Sequence, residues 1–346
     1  MRFGPVDLDD AKGAVLGHSL RVQGRKIAKG RVLSASDIAA LKADGVARVT
    51  VARLEPGDIG EDTAAAQLAA ALVPEPEAAG LTLCTPHRGR VNLNATGPGI
   101  VGIDAARIHA LNLIDPSITL ATLAPYARVS EGMLVGTVKI IAYSVPIAAL
   151  DRAVAAVEGG AVRVLPVIRK SAGLILTDAG GEASKLETKS REVIAGRLRA
   201  LGMDLAGVET VPHEEGAIAE ALTRLQGDMA LILTGAATSD LNDVAPEAVR
   251  RAGGRVARFG MPVDPGNLLF HGNLGDRPVI GLPGCARSPA LNGADWVLER
   301  LACGLEVTDA DIAAMGVGGL LKEIPIRPQP REWDRDRDRN ASGGGI

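Results

Sequence analysis

The run TGAATSDLND, Thr234 to Asp243, gathers three hydroxyls and two carboxylates into ten residues bounded by apolar segments. Backbone amides in a loop at the carboxyl edge of a sheet, or at a helix N-terminus, favour an anion. Thr234, Gly235, Thr238 and Ser239 are therefore candidate contacts for a phosphorylated ligand, while Asp240 and Asp243 are candidates to hold a divalent ion such as Mg²⁺. Asp243 is also a candidate catalytic group, and it has a second reading: an aspartate at a helix start caps free amides and complements the helix dipole. Further along, GLPGCARS supplies Gly284, Arg287 and Ser288. Arginine pairs with phosphate bidentately or stays solvated in a loop, and serine bonds a phosphate or closes a turn. Cys285 has no neighbouring base in the sequence, so filling a tight loop outweighs a nucleophilic role. Asp178, with Glu182, follows another apolar run and is a second catalytic candidate whose bland alternative is a solvated turn.

The elements that must position these groups are readable from periodicity. Met229 to Leu233 (MALIL) is an apolar run of strand length, and a helical stripe begins at Val244, Ala248 and Val249 and stops at Gly253 and Gly254. GLILT, Gly173 to Thr177, is another compact strand. Helical stripes recur at Ile194, Leu198 and Leu201, then at Ile218, Ala221, Leu222 and Leu225, and finally at Leu291, Ala294, Leu298 and Leu301. Strand and helix thus alternate, which predicts an α/β domain over 166–306: a mostly parallel three-layer αβα sandwich with its ligand loops on one edge.

Ahead of it, residues 1–77 read as a small α+β unit, with a helix capped by Ser36 or Asp37, ended by Gly45 and followed by the alternating strand VARVTVA. A helix from Asp62 to about Leu72 leads into the linker VPEPEAAG. Residues 78–165 read as a β-rich domain with a terminal helix that Asp151 caps. His87, Arg88 and Arg90 are taken as a solvated loop, and His18 and His109 are assigned no chemistry. Residues 307–346 form an extension, and REWDRDRDRNASGGGI, from about 331, has almost nothing to bury and is expected to be disordered.

The loop and its surroundings resemble the molybdopterin-binding domain of the molybdenum-cofactor biosynthesis family, shared by molybdopterin adenylyltransferases and molybdopterin molybdotransferases. That family's loop reads TGGTG or SGGVS, followed by an aspartate, a hydrophobic residue and often proline; Thr234, Gly235, Asp243, Val244 and Pro246 take those places. PVDPGNLLFHG, carrying Pro265 and Gly266, resembles the molybdotransferase segment built on PGKP, and GLPGCARS resembles GLPGNPVS. DAGGE, with Asp178, stands in a place resembling the TGDE-type loop. KGRVLSASDIAALKADGVARVTV resembles the segment that precedes the pterin domain in molybdotransferases.

The resemblance implies molybdopterin as ligand or substrate, with Mg²⁺ as an accompanying ion and other molybdenum-cofactor biosynthesis proteins as partners. The chain departs from the pattern at Ala236 and Thr238, which replace loop glycines, at Asp264 and Asn267, which replace lysines, and at His213, which stands for an aspartate of a VPDD-like segment. A side chain where glycine lets backbone approach a ligand narrows the cradle.

Composition sets the limits. With 346 residues, 47% hydrophobic and a formal net charge of −3, the chain can bury a large core. Near-neutral charge and 2% aromatics argue against a nucleic-acid surface. No stretch reaches the roughly 18 apolar residues of a membrane helix and no signal peptide is evident, so the expected setting is cytoplasmic. A homo-oligomer is a separate expectation. Three dispersed cysteines support neither a zinc site nor a disulfide framework. Three functions are carried forward: a molybdotransferase- or adenylyltransferase-like enzyme, a non-catalytic pterin carrier, sensor or scaffold, and an unrelated α/β enzyme acting on a phosphorylated metabolite.

Overall fold

The structure, a computed structural model, describes residues 1–22, 24–178 and 183–323. Glu182 and the segment from 331 lie outside the described residues. The chain divides into two compact units: residues 1–170 with 198–204 and 299–305, and residues 171–197, 205–298 and 306 onward.

In the first unit, strands Arg2–Asp7, Arg48–Arg53 and Val15–Leu16 form a three-stranded sheet. The helix Ala35–Ala43 that feeds it is capped by Ser34, ahead of the Ser36 or Asp37 that the sequence suggested, because Ser34 and Asp37 form a reciprocal capping box. Asp37 is thus the third helical residue rather than the cap. Further along, a four-stranded sheet in the order Ile118–Thr122, Leu134–Ile140, Arg90–Ala95, Leu81–Leu83 shares a core with the helices Glu61–Leu72, Ala105–Asn112 and Ile147–Val157. Asp151 sits inside the last of these helices and does not cap it; Pro146 precedes its first turn. Proline suits a helix start, where a missing N–H removes no intrahelical bond.

The second unit is an α/β domain. Its elements are β1 (Ser171–Asp178), α1 (Ala183–Arg199), β2 (Asp204–Pro212), α2 (Glu215–Arg224), β3 (Met229–Leu233), α3 (Val244–Arg251), β4 (Arg255–Phe259), β5 (Phe270–Leu274), β6 (Arg277–Leu282) and α4 (Gly293–Ala302), whose last turn joins the first unit, then α5 (Asp309–Ala314). The strands form one six-stranded sheet ordered β2-β1-β3-β6-β5-β4. β1, β3 and β6 run parallel; β5 is antiparallel to both β6 and β4.

All five residues of β3 are fully buried. Ala230 and Ile232 join Ile175 and Val279 against α2 and α3, whereas Leu231 and Leu233 alternate to the opposite face and are equally inaccessible. A strand covered on both faces needs no polar alternation, which is why MALIL reads as a continuous apolar run. Truncating one of these leucines to alanine costs about 2–5 kcal/mol. Where β5 meets β6, Phe270 lies opposite Gly281, and a Cβ on that glycine would stand 1.9 Å from the ring. The bare glycine backbone is the seat of the aromatic ring.

Candidate functional site

Because β1, β3 and β6 are parallel neighbours, their carboxyl ends at Asp178, Leu233 and Leu282 lie at one edge of the sheet. The antiparallel pairings of Phe259 with Phe270 and of Phe270 with Gly281 bring the connection 260–269, carrying Pro265 and Gly266, to the same edge. The candidate residues from four distant stretches of sequence therefore share one rim of the domain.

Side chains join these segments. Arg287 lies in the short 3₁₀ turn Gly284–Arg287 and donates from Nη2 to the Thr234 carbonyl at 2.6 Å, so the loop after β6 is fastened to the loop after β3. Gly284 leaves room for this, since a Cβ there would lie 3.3 Å from Arg287 Nη1. Burial pushes the pKa of the Arg287 guanidinium down, and its Nε has no hydrogen-bond partner among the described residues. A half-desolvated cation with an unused donor is stabilised by an anion beside it. Ser288 has another role: its carbonyl, with that of Ala290, accepts from Arg197 Nη2 at 2.7 and 3.2 Å.

Asp243 is the N-cap of α3, its Oδ1 accepting from the Val244 amide at 2.7 Å and its Oδ2 from the Ser239 amide at 2.8 Å. The Ser239 amide, then that of Val244, and the nearby His213 hold this carboxyl below its ordinary range, partly offset by burial. Asp240 Oδ1 accepts from the Asn242 amide at 2.8 Å. Thr234 and Thr238 are buried, and the Gly235 amide donates to Thr177 Oγ1 at 2.8 Å.

Pro265 and Gly266 pack on the start of α4: the Gly293 amide donates to the Pro265 carbonyl at 2.8 Å, and a Cβ on Gly266 would lie 3.0 Å from Gly293. Asp264, in the place of a family lysine, pairs with Lys322 of the C-terminal extension at 3.3 Å. Asp178 ends β1, with its side chain outside the described part.

The half-buried, cationic Arg287, beside the loop of backbone amides from Thr234 to Asp243, fits a phosphate-bearing ligand by its charge. The described side chains do not fit a resident metal. Among the described residues no three His, Cys, Asp or Glu side chains are grouped to hold one, and both oxygens of Asp243 already receive backbone amides.

Three features escaped the sequence reading. Arg197 is buried and anchors the Ser288–Ala290 segment; the only signal was a cation set between Ile194 and Leu198 on an apolar helix face. Thr177 reaches both the Gly235 amide and His213, a contact no spacing rule reveals. In the first unit a cavity of about 1020 Å³ is lined by Arg107, Tyr126 and Arg163 together with apolar and backbone groups, and none of the sequence-derived candidates borders it.

Three parallel strands at the centre of the sheet, with loops gathered at their carboxyl edge, make this an α/β domain, and in such sheets ligand sites lie at that edge. Residues 173–302 match the family described as a probable molybdopterin-binding domain. Residues 5–53 match a family described only as a domain of unknown function. No curated protein matches the chain. Among solved structures, a molybdopterin biosynthesis MoeA protein from Pyrococcus horikosii is similar at 12% identity and TM-score 0.30, over 88% of this chain and 75% of that one. A molybdenum cofactor biosynthesis protein from Pyrococcus furiosus is similar at 13% identity and TM-score 0.24, over 90% of this chain and 65% of its own length. No helix among the described residues is long and apolar enough to cross a membrane.

Proposed function

We propose that this protein binds molybdopterin or a closely related pterin phosphate in molybdenum-cofactor biosynthesis, with the phosphate between the Thr234–Asp243 loop and the Gly284–Ser288 turn. The observation that carries this reading is the Arg287–Thr234 bond, which joins the two loops inside the segment that matches the molybdopterin-binding family. In this reading Arg287 supplies charge, the loop amides supply hydrogen bonds, and Pro265 and Gly266 border the site. Asp243 orders the loop and the start of α3.

Binding without fast transfer chemistry is the reading favoured by His213 and Asp264. His213 is engaged with Thr177 rather than standing as a free acid, and Asp264 is paired with Lys322 where a cation would face the ligand. No step is assigned to Mg²⁺. A transferase-like activity with Asp243 and Asp178 as its catalytic residues is the competing reading.

The test is native mass spectrometry of protein made in a cofactor-producing host and in a pterin-deficient one. A pterin-dependent mass increment is expected; equal masses from the two hosts would contradict the proposal. Rapid adenylation of molybdopterin, or rapid molybdate insertion, would favour the transferase reading over the carrier.

A further inference from the structure

Thr177, one residue before the end of β1, is 7% exposed, and its hydroxyl oxygen serves two neighbours. It accepts the Gly235 amide at 2.8 Å and lies 3.0 Å from His213 Nδ1. An amide can only donate, so the hydroxyl proton stays available for the imidazole. In the neutral tautomer whose ring proton sits on Nε2, the Thr177 hydroxyl donates to Nδ1.

The other end of the loop is held in a similar way, by Asp243 Oδ2 accepting the Ser239 amide at 2.8 Å. Between these two pins lie the amides of Ala236, Ala237 and Thr238, which have no acceptor among the described residues. Backbone amides without internal partners are free to donate to an anionic oxygen.

We propose that Thr177 and His213 are positioning residues of the anion loop. His213 fixes the orientation of the Thr177 hydroxyl, Thr177 pins the Gly235 amide, and the pinned loop presents the next three amides to a phosphate oxygen. This rests on the site reading above, and it gives His213 a task that an aspartate cannot perform in the same way. A carboxylate accepts from Thr177 but leaves no ring N–H on its far side.

The test uses the full ¹⁵N-labelled chain and inorganic phosphate as probe, read by amide chemical shifts. In the wild type, phosphate is expected to shift the resonances of Ala236, Ala237 and Thr238. Thr177→Val, close in shape but without the acceptor, is expected to weaken phosphate at least fivefold and to move the ligand-free Gly235 resonance. Thr177→Ser should stay within twofold of the wild type. His213→Phe, at a partly exposed position, keeps the ring and removes Nδ1; it should also move the Gly235 resonance and weaken phosphate, which covers the case in which Thr177→Val fails to fold.

Wild-type affinity in His213→Phe or in a folded Thr177→Val would overturn the proposal, as would phosphate shifts absent from 236–238 in the wild type. Because the probe carries no pterin, phosphate shifts at 236–238 together with equal masses from the two hosts would sink the pterin reading and leave this one standing.

Discussion

Arg197 Nη1 and Asp295 Oδ1 form an ion pair at 3.2 Å with side chains only 8% and 3% exposed. The pair is spliced into the site: Arg197 also holds the carbonyls of Ser288 and Ala290, and Asp295 Oδ2 accepts the Asn292 amide at 2.9 Å. Removing one member of a buried pair leaves the other charge uncompensated, at a cost of about 3–5 kcal/mol. Arg197→Met is therefore expected to lower the unfolding free energy by about that amount, measured by urea denaturation. Loss of less than about 1 kcal/mol would mean that the pair is not formed in solution.

Arg287→Ala is expected to weaken a pterin phosphate at least tenfold in calorimetry, and Arg287→Lys to recover only part of that loss, because a lysine cannot reproduce the forked contact. The Nη2 bond to Thr234 O also orders the turn, so stability should fall modestly, by about 1 kcal/mol. Full affinity in the alanine variant would remove Arg287 from the site.

Asp243 uses both carboxylate oxygens, and asparagine can replace only one of them as an acceptor. Asp243→Asn is expected to cost about 1–2 kcal/mol and to leave the Ser239 or the Val244 amide without its partner. The wild-type carboxyl has its pKa lowered in the folded state, so its contribution is present above the unfolded carboxylate pKa and is lost as pH falls through the folded value. The stability gap between wild type and Asp243→Asn should therefore narrow on acidification below about pH 4. A gap independent of pH down to acid unfolding would contradict the assigned hydrogen bonds.

The cysteines separate by burial. Cys84 and Cys285 are exposed, whereas burial pushes the Cys303 thiol up to about 11. Alkylation of the native protein at about pH 8 is expected to modify two thiols and spare Cys303 until the protein unfolds. Rapid loss of all three thiols would contradict this packing.

The sheet was legible in the sequence because its central strands are buried on both faces and announce themselves as apolar runs such as Met229–Leu233, and because Gly253 and Gly254 mark the end of α3. Capping was less legible. Ser34, Ser36 and Asp37 all suit a helix start, and only the reciprocal bonds select Ser34; Asp151 suits a cap equally well but lies inside a helix begun at Ile147. The joining of the loop residues was beyond the sequence for a different reason. Arg287 meets Thr234 across 53 residues and Thr177 meets Gly235 across 58, and such contacts follow from strand order, which periodicity does not encode.

The central claim, a pterin phosphate between the two loops at the carboxyl edge, is tested most directly by amide hydrogen exchange on pterin-loaded and pterin-free protein. Protection on loading is expected to concentrate in 235–243 and 284–288, with little change in the first unit. Protection confined instead to the segments lining the cavity around Tyr126 and Arg163, with the two loops unchanged, would contradict it.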